Sequence, residues 1–80
     1  MKKSSVIGIG RLGLCWALNL EKNGYNVLGV DVNEQYVESL NNKTYQSREP
    51  HVDEFIKNAK NFHATTDIKS AIYHSDIIYI

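Results

Sequence analysis

Three glycines fall within six residues, Gly8-x-Gly10-x-x-Gly13, where a short branched apolar run hands over to a helix-patterned segment. The chain has only five glycines, so this corner constrains the fold more than any other feature. Residues 4–9, with Val6, Ile7 and Ile9, read as a buried strand ending in glycine. Residues 11–23 set Leu12, Leu14, Cys15, Trp16, Ala17, Leu18 and Leu20 against Asn19, Glu21, Lys22 and Asn23, and Gly24 supplies a stop. That pattern predicts a helix with one broad apolar face, Cys15 and Trp16 buried in it. A strand–glycine–helix corner has two uses. It allows close packing, or it lets free N–H groups and the positive end of the helix receive a phosphate.

The rest of the chain bears on that choice. Residues 25–32 (YNVLGVDV) predict a second strand, with Gly29 a mild defect inside it and Asp31 near its end. Asn33 is placed to cap a helix through Tyr36, Val37 and Leu40 that fades at 41–43. The pattern lapses over 44–49, and Pro50 stands where a helix can begin. Val52, Phe55, Ile56 and Ala59 follow the i, i+3, i+4, i+7 rule and predict a short amphipathic helix within 51–60. Residues 62–65 are a weak third strand. Thr66 or Asp67 caps a helix carrying Ile68, Ala71 and Ile72, and 76–80 (DIIYI) is an apolar strand of the kind that belongs inside a sheet. The order β-α-β-α-(α)-β-α-β calls for a parallel sheet with flanking helices, because each parallel pair needs a covering crossover. The fold class is therefore α/β, part of a Rossmann-type dinucleotide-binding fold. The first strand is expected to lie parallel between the second and the fourth. Residues 1–80 are expected to be the N-terminal part of a longer protein. The competing reading is a self-contained small domain with a terminal central strand.

Composition narrows the partners. Nine basic residues balance nine acidic ones, whereas a nucleic-acid binder usually has a basic surplus, so none is expected. No apolar run approaches the ~20 residues of a membrane span. Lys2 and Lys3 precede Val6-Ile7, but Gly8, Gly10 and Arg11 break the run at once, unlike a signal peptide. One cysteine makes no internal disulfide, and no Cys/His set has metal-ligand spacing. A cytoplasmic protein is the default.

Asp31 decides the reading of the corner. It lies 23 residues after Gly8 at the end of the second predicted strand, where a carboxylate accepts hydrogen bonds from ribose hydroxyls. A 2'-phosphate there would meet a like charge, so NAD is expected over NADP, with FAD and S-adenosylmethionine as alternatives. The expected cofactor-binding residues are Gly8, Ile9, Gly10, Arg11, Leu12, Gly13 and Asp31. Arg11 either pairs with a phosphate or points to water. No catalytic set is expected: Cys15 reads as a small core residue, and His51, His63 and His74 as ordinary exposed histidines, His51 without an evident carboxylate partner. No metal ligands are expected.

The chain also carries a resemblance across nearly its whole length. Gly8, Gly10 and Gly13 combine with Asp31-Val32-Asn33, Glu49-Pro50, Ala64-Thr65-Thr66-Asp67 and Asp76-Ile77-Ile78. This combination resembles the N-terminal NAD-binding domain of the UDP-glucose/GDP-mannose dehydrogenase family. The resemblance implies a nucleotide-sugar substrate for the full-length protein and oxidation of its C6 hydroxyl to a carboxylate in two NAD-dependent steps. These pass through a thiohemiacetal on a cysteine of a later domain, which Cys15 does not match. It leaves room for a homo-oligomer at full length and implies an inactive piece when residues 1–80 stand alone. Family members commonly carry an aromatic residue where Arg11 stands and often a basic one where Tyr36 stands. Two other readings stay open: the start of a 3-hydroxyacid or hydroxyacyl dehydrogenase, and a non-catalytic NAD-sensing domain.

Overall fold

A computed structural model describes residues 2–46 and 51–80. The elements run β1 (Lys2–Ile7), α1 (Arg11–Lys22), β2 (Tyr25–Val30), α2 (Glu34–Asn41), α3 (Val52–Asn58), β3 (Phe62–Thr65), α4 (Ile68–His74) and β4 (Ile78–Tyr79). Their order and type are those the sequence predicts. The strands form one parallel sheet in the order β3-β2-β1-β4, with Val6 level with Gly29 on one side and Tyr79 on the other. The first strand thus lies between the second and fourth, as expected.

Several boundaries differ for local reasons. β1 ends at Ile7 rather than at Ile9, because Gly8 takes φ +87° and turns the chain out of the ladder. β2 stops at Val30, two residues early, although the Asp31 N–H still reaches the Thr65 carbonyl at 3.1 Å. α1 closes at Lys22, and Gly24 at φ +95° provides the expected stop. Asn33 caps α2 through the Tyr36 N–H at 3.0 Å. At α4 the cap is Asp67, which accepts from the Lys69 N–H. The expected roles of Glu49 and Pro50 lie outside the described residues.

One expectation needs correcting. Gly29 is no defect: a Cβ there would stand 2.8 Å from Ile9 Cγ2 and 2.9 Å from Cδ1, so its missing side chain is the space Ile9 fills. β4 is a short strand that meets only β1, at the open side of the described sheet, with Ile77 and Ile80 exposed.

The core joins Val6, Ile9, Leu14, Ala17, Leu18 and Val27 to Val37 and Leu40 of α2, Val52 and Ile56 of α3, and Phe62 and Ala64 of β3. The opposite edge is closed differently. The Asn41 side chain accepts from the Ala64 N–H and donates to the Ala64 carbonyl, both at 2.8 Å, standing in for a neighbouring strand at β3. Lys43 donates to the Ile56 and Ala59 carbonyls and so ties off the end of α3. Among the described residues no helix is long and apolar enough to cross a membrane.

Candidate cofactor site

The strand order itself creates a crevice. The chain builds β1, β2 and β3 outward in one direction, then crosses to place β4 on the other flank of β1. Between β1 and β4 the direction of winding reverses, and in open α/β sheets ligands settle outside the carboxyl ends of the strands at such a point. The glycine turn sits there, at the carboxyl end of β1.

The turn is built from close backbone contacts. The Gly8 N–H donates to the Val30 carbonyl at 2.8 Å, fixing the end of β1 against β2. A Cβ on Gly13 would stand 1.9 Å from the Gly8 carbonyl oxygen, so α1 approaches the turn at a distance only glycine allows. Gly10 differs: a Cβ there would meet nothing within 4 Å. Its small size is not required by any neighbour among the described residues, which leaves room for something outside the protein. Ile9, between the two, is fully buried and packs over Gly29.

The start of α1 is left open to a ligand. Gly10 is its N-cap and offers no side-chain hydrogen bond, and its first turn holds no acidic residue. The first four N–H groups of a helix have no intrahelical acceptor, and the dipole adds roughly half a positive charge. α2 and α4, by contrast, are capped by Asn33 and Asp67. In front of α1 opens a cleft of about 710 Å³ lined by Gly8, Gly10, Arg11, Leu12, Gly13 and Cys15. The donor set and the space suit a pyrophosphate.

Asp31 stands at the end of β2, directly after the residue whose carbonyl holds Gly8. Its Oδ1 accepts the Asn33 N–H at 3.0 Å, which orients the carboxylate at the mouth of α2. A carboxylate offers roughly four acceptor positions, so one such bond leaves capacity for ribose hydroxyls.

Tyr36 is the residue that sequence reasoning missed. From the first turn of α2 its hydroxyl donates to the Ile9 carbonyl, inside the glycine turn. Its ring meets Tyr45 edge-on, with centroids 5.1 Å apart. Burial pushes the phenol pKa well above its usual value, and Tyr45 and Asp31 act in the same direction, so the hydroxyl stays a donor. The sequence placed Tyr36 in the helix after Asn33, at a position often basic in the resembled family, but nothing in it linked the hydroxyl to Ile9.

Other expectations fail here. Cys15 is exposed and lines the cleft, not the core. Leu12 is 87% exposed and Trp16 46%; the Trp16 ring meets Tyr79 at 5.3 Å instead of entering the interior. The buried face of α1 is narrower than expected: Leu14, Ala17, Leu18 and Leu20. His51 does have a carboxylate neighbour, with Nδ1 3.6 Å from Glu54 Oε2 on an exposed turn. His74 Nε2 lies 3.0 Å from the Asn26 carbonyl and is half-buried, while His63 is exposed. Among the described residues no three metal-ligating side chains converge.

Comparison with known proteins agrees with this geometry. The sequence pattern of the NAD binding domain of the UDP-glucose/GDP-mannose dehydrogenase family matches residues 2–80. The chain belongs to that family. It is 39% identical to a UDP-N-acetyl-D-mannosamine dehydrogenase of Methanococcus maripaludis over 74 residues, covering 89% of this chain and 17% of the relative. Against the UDP-glucose 6-dehydrogenase TuaD of Bacillus subtilis it is 39% identical, covering 100% of this chain and 18% of the relative. A GDP-mannose dehydrogenase structure from Pseudomonas aeruginosa superposes with a TM-score of 0.87 at 28% identity, covering 98% of this chain and 18% of that one. The chain thus spans less than a fifth of these relatives. It is an NAD-binding domain of the nucleotide-sugar dehydrogenase type, and NAD is its cofactor.

Proposed function

We propose that residues 1–80 are the cofactor-binding start of a nucleotide-sugar dehydrogenase, with Gly8, Ile9, Gly10, Arg11, Leu12 and Gly13 receiving the NAD pyrophosphate and Asp31 the adenine ribose. The observation that carries this is the uncapped start of α1 behind Gly10, one strand away from the Asp31 carboxylate. Main-chain N–H groups bind phosphate oxygens there without a desolvated counter-charge. Arg11, exposed at the first position of α1, adds a cation beside them. The Asp31 carboxylate disfavours a 2'-phosphate by like-charge repulsion, which selects NAD over NADP.

NAD supplies a hydride acceptor, and this chain supplies binding and orientation. The catalytic residues lie outside it. That division follows the match of residues 2–80 to the NAD binding domain of the family. In the longer protein the reaction is oxidation of the C6 hydroxyl of a nucleotide sugar to a carboxylate, in the cytoplasm and by a homo-oligomer.

Calorimetric titration of the chain with NAD and with NADP tests the binding reading. The expected result is NAD binding at least about tenfold tighter than NADP, the repulsion amounting to ~1.4 kcal/mol or more. Equal affinities, or no NAD binding, would overturn it. Incubating the longer protein with UDP-glucose, GDP-mannose and UDP-N-acetylmannosamine in turn, with NAD, identifies the sugar by the rise of reduced cofactor.

A further inference from the structure

The turn that faces the cleft has two glycines on either side of one ordinary residue, Ile9. A Gly-x-Gly corner is the part of the site with the greatest conformational freedom to lose when a ligand orders it. Here the middle residue is held at both ends. Its side chain fills the space left by Gly29 on β2. Its carbonyl accepts the hydroxyl of Tyr36 from α2.

The second contact fixes more than a carbonyl. A peptide unit is planar, and in the trans form its C=O and the following N–H point in opposite directions. Binding the Ile9 carbonyl on the α2 side therefore turns the Gly10 N–H away from α2. Gly10 lines the cleft and precedes the open end of α1.

Tyr36 is itself well anchored. Its N–H is held by the Asn33 side chain at 3.0 Å and its carbonyl accepts from Ser39 Oγ at 2.7 Å. The edge-on contact with Tyr45 fixes the ring. The hydroxyl is thus delivered from a capped helix turn by a side chain held at its backbone and at its ring.

We propose that Tyr36 is a positioning residue for the cofactor, holding the Ile9–Gly10 peptide in the orientation that receives the pyrophosphate. The inference rests on the function proposed above. It assigns to α2 a role in pyrophosphate binding that the glycine motif does not contain. Tyr36 orders the turn before the ligand arrives, so the bound complex loses less conformational freedom on forming.

The test uses the chain as it is, with Tyr36→Phe and Val37→Ala compared to the unaltered sequence. Phenylalanine keeps the ring against Tyr45 and removes only the donor. Val37 is buried on the same helix but faces the core, so its truncation reports the effect of instability alone. NAD and NADP affinities are measured well below the unfolding temperature of all three proteins, alongside the carbonyl-carbon shift of Ile9 and the amide shifts of Gly10.

Tyr36→Phe is expected to weaken NAD binding about three- to tenfold, the loss of one hydrogen bond. The NAD-to-NADP ratio should stay as in the unaltered chain, and the Ile9 and Gly10 signals should move. Val37→Ala should lower the unfolding temperature and leave affinity and both signals unchanged. NAD affinity unaltered in Tyr36→Phe, or lowered equally in Val37→Ala, overturns the positioning role while leaving the binding function intact. If the unaltered chain binds no NAD, the functional reading and this inference fail together.

Discussion

Gly13 and Gly10 lie in one motif but are glycines for different reasons, and replacing each by alanine separates them. At Gly13 an added Cβ would stand 1.9 Å from the Gly8 carbonyl oxygen and 3.0 Å from its carbon. Both are backbone atoms, so no rotamer relieves the clash. α1 must withdraw by about 1 Å, and a gap of that size forfeits a quarter to a half of each dispersion contact it opens. The contacts at risk are those of Leu14, Ala17 and Leu18, all buried. Overpacking a well-filled core costs about 1–3 kcal/mol, and an immovable partner puts Gly13→Ala near 3 kcal/mol. Against a total of roughly 4–12 kcal/mol for a domain of this size, that lowers Tm by about 12–24 °C. Gly10 sits at φ −65° and ψ −157°, extended backbone at the margin of the region open to alanine, with nothing within 4 Å of an added Cβ. Gly10→Ala should lower Tm far less than Gly13→Ala, since no atom must move to admit the methyl group and the unfolded chain loses conformational freedom. It should nevertheless weaken NAD binding, because the methyl group enters the space proposed above for the pyrophosphate. Circular-dichroism melts and NAD titrations of both variants decide the matter. A Gly13→Ala variant within about 1 kcal/mol of the unaltered chain, or a Gly10→Ala variant destabilised as much as Gly13→Ala, would refute the reasoning.

Asp31→Ala should weaken NAD binding by about 1–3 kcal/mol through loss of charged-acceptor hydrogen bonds and reduce discrimination against NADP. An unchanged NAD-to-NADP ratio on titration removes Asp31 from the site. Alkaline stability should report Tyr36: burial raises its folded pKa above the ordinary value of about 10, so the folded chain keeps a proton the unfolded chain has released. The contribution is fully present below about pH 10 and declines as pH rises toward the raised folded value. Urea midpoints between about pH 8 and 11.5 should therefore fall less steeply in Tyr36→Phe, and an equally steep fall counts against the buried phenol. Incubated with UDP-glucose and NAD, the 80-residue chain should produce no reduced cofactor. Turnover above a protein-free control, lost in Cys15→Ser, would place the chemistry within this chain.

What could be read from the sequence was whatever short-range pattern controls. The alternation of apolar runs and helical periods set the order of elements, and the caps at Asn33 and Asp67 were found because a capping side chain lies two or three residues from the N–H it binds. The glycine turn and Asp31 were visible because their spacing is fixed along one β-α-β unit. Exposure along α1 was not. Leu12, Cys15 and Trp16 lie among leucines, and period alone draws the apolar face broadly. Only the position of the sheet shows that the buried stripe runs through Leu14, Ala17 and Leu18. Gly29 was misread for a related reason: its partner, Ile9, lies twenty residues away in the chain.

Ile9 shows how these long-range contacts join the fold to the site. The motif treats it as a spacer between two glycines, yet it is buried against β2 and bonded through its carbonyl to α2. Asp31 sits on the link between those same two elements, and its Oδ1 is held by the Asn33 N–H just ahead of α2. The two ends of the proposed cofactor site are therefore both tied to the β2–α2 connection. A shift of α2 would disturb the Ile9 carbonyl through Tyr36 and the Asp31 carboxylate through Asn33 together. Displacing α2 as a whole should accordingly weaken pyrophosphate and ribose binding together, whereas Tyr36→Phe, which leaves α2 in place, should act at the pyrophosphate end alone and combine near-additively with Asp31→Ala in NAD titrations.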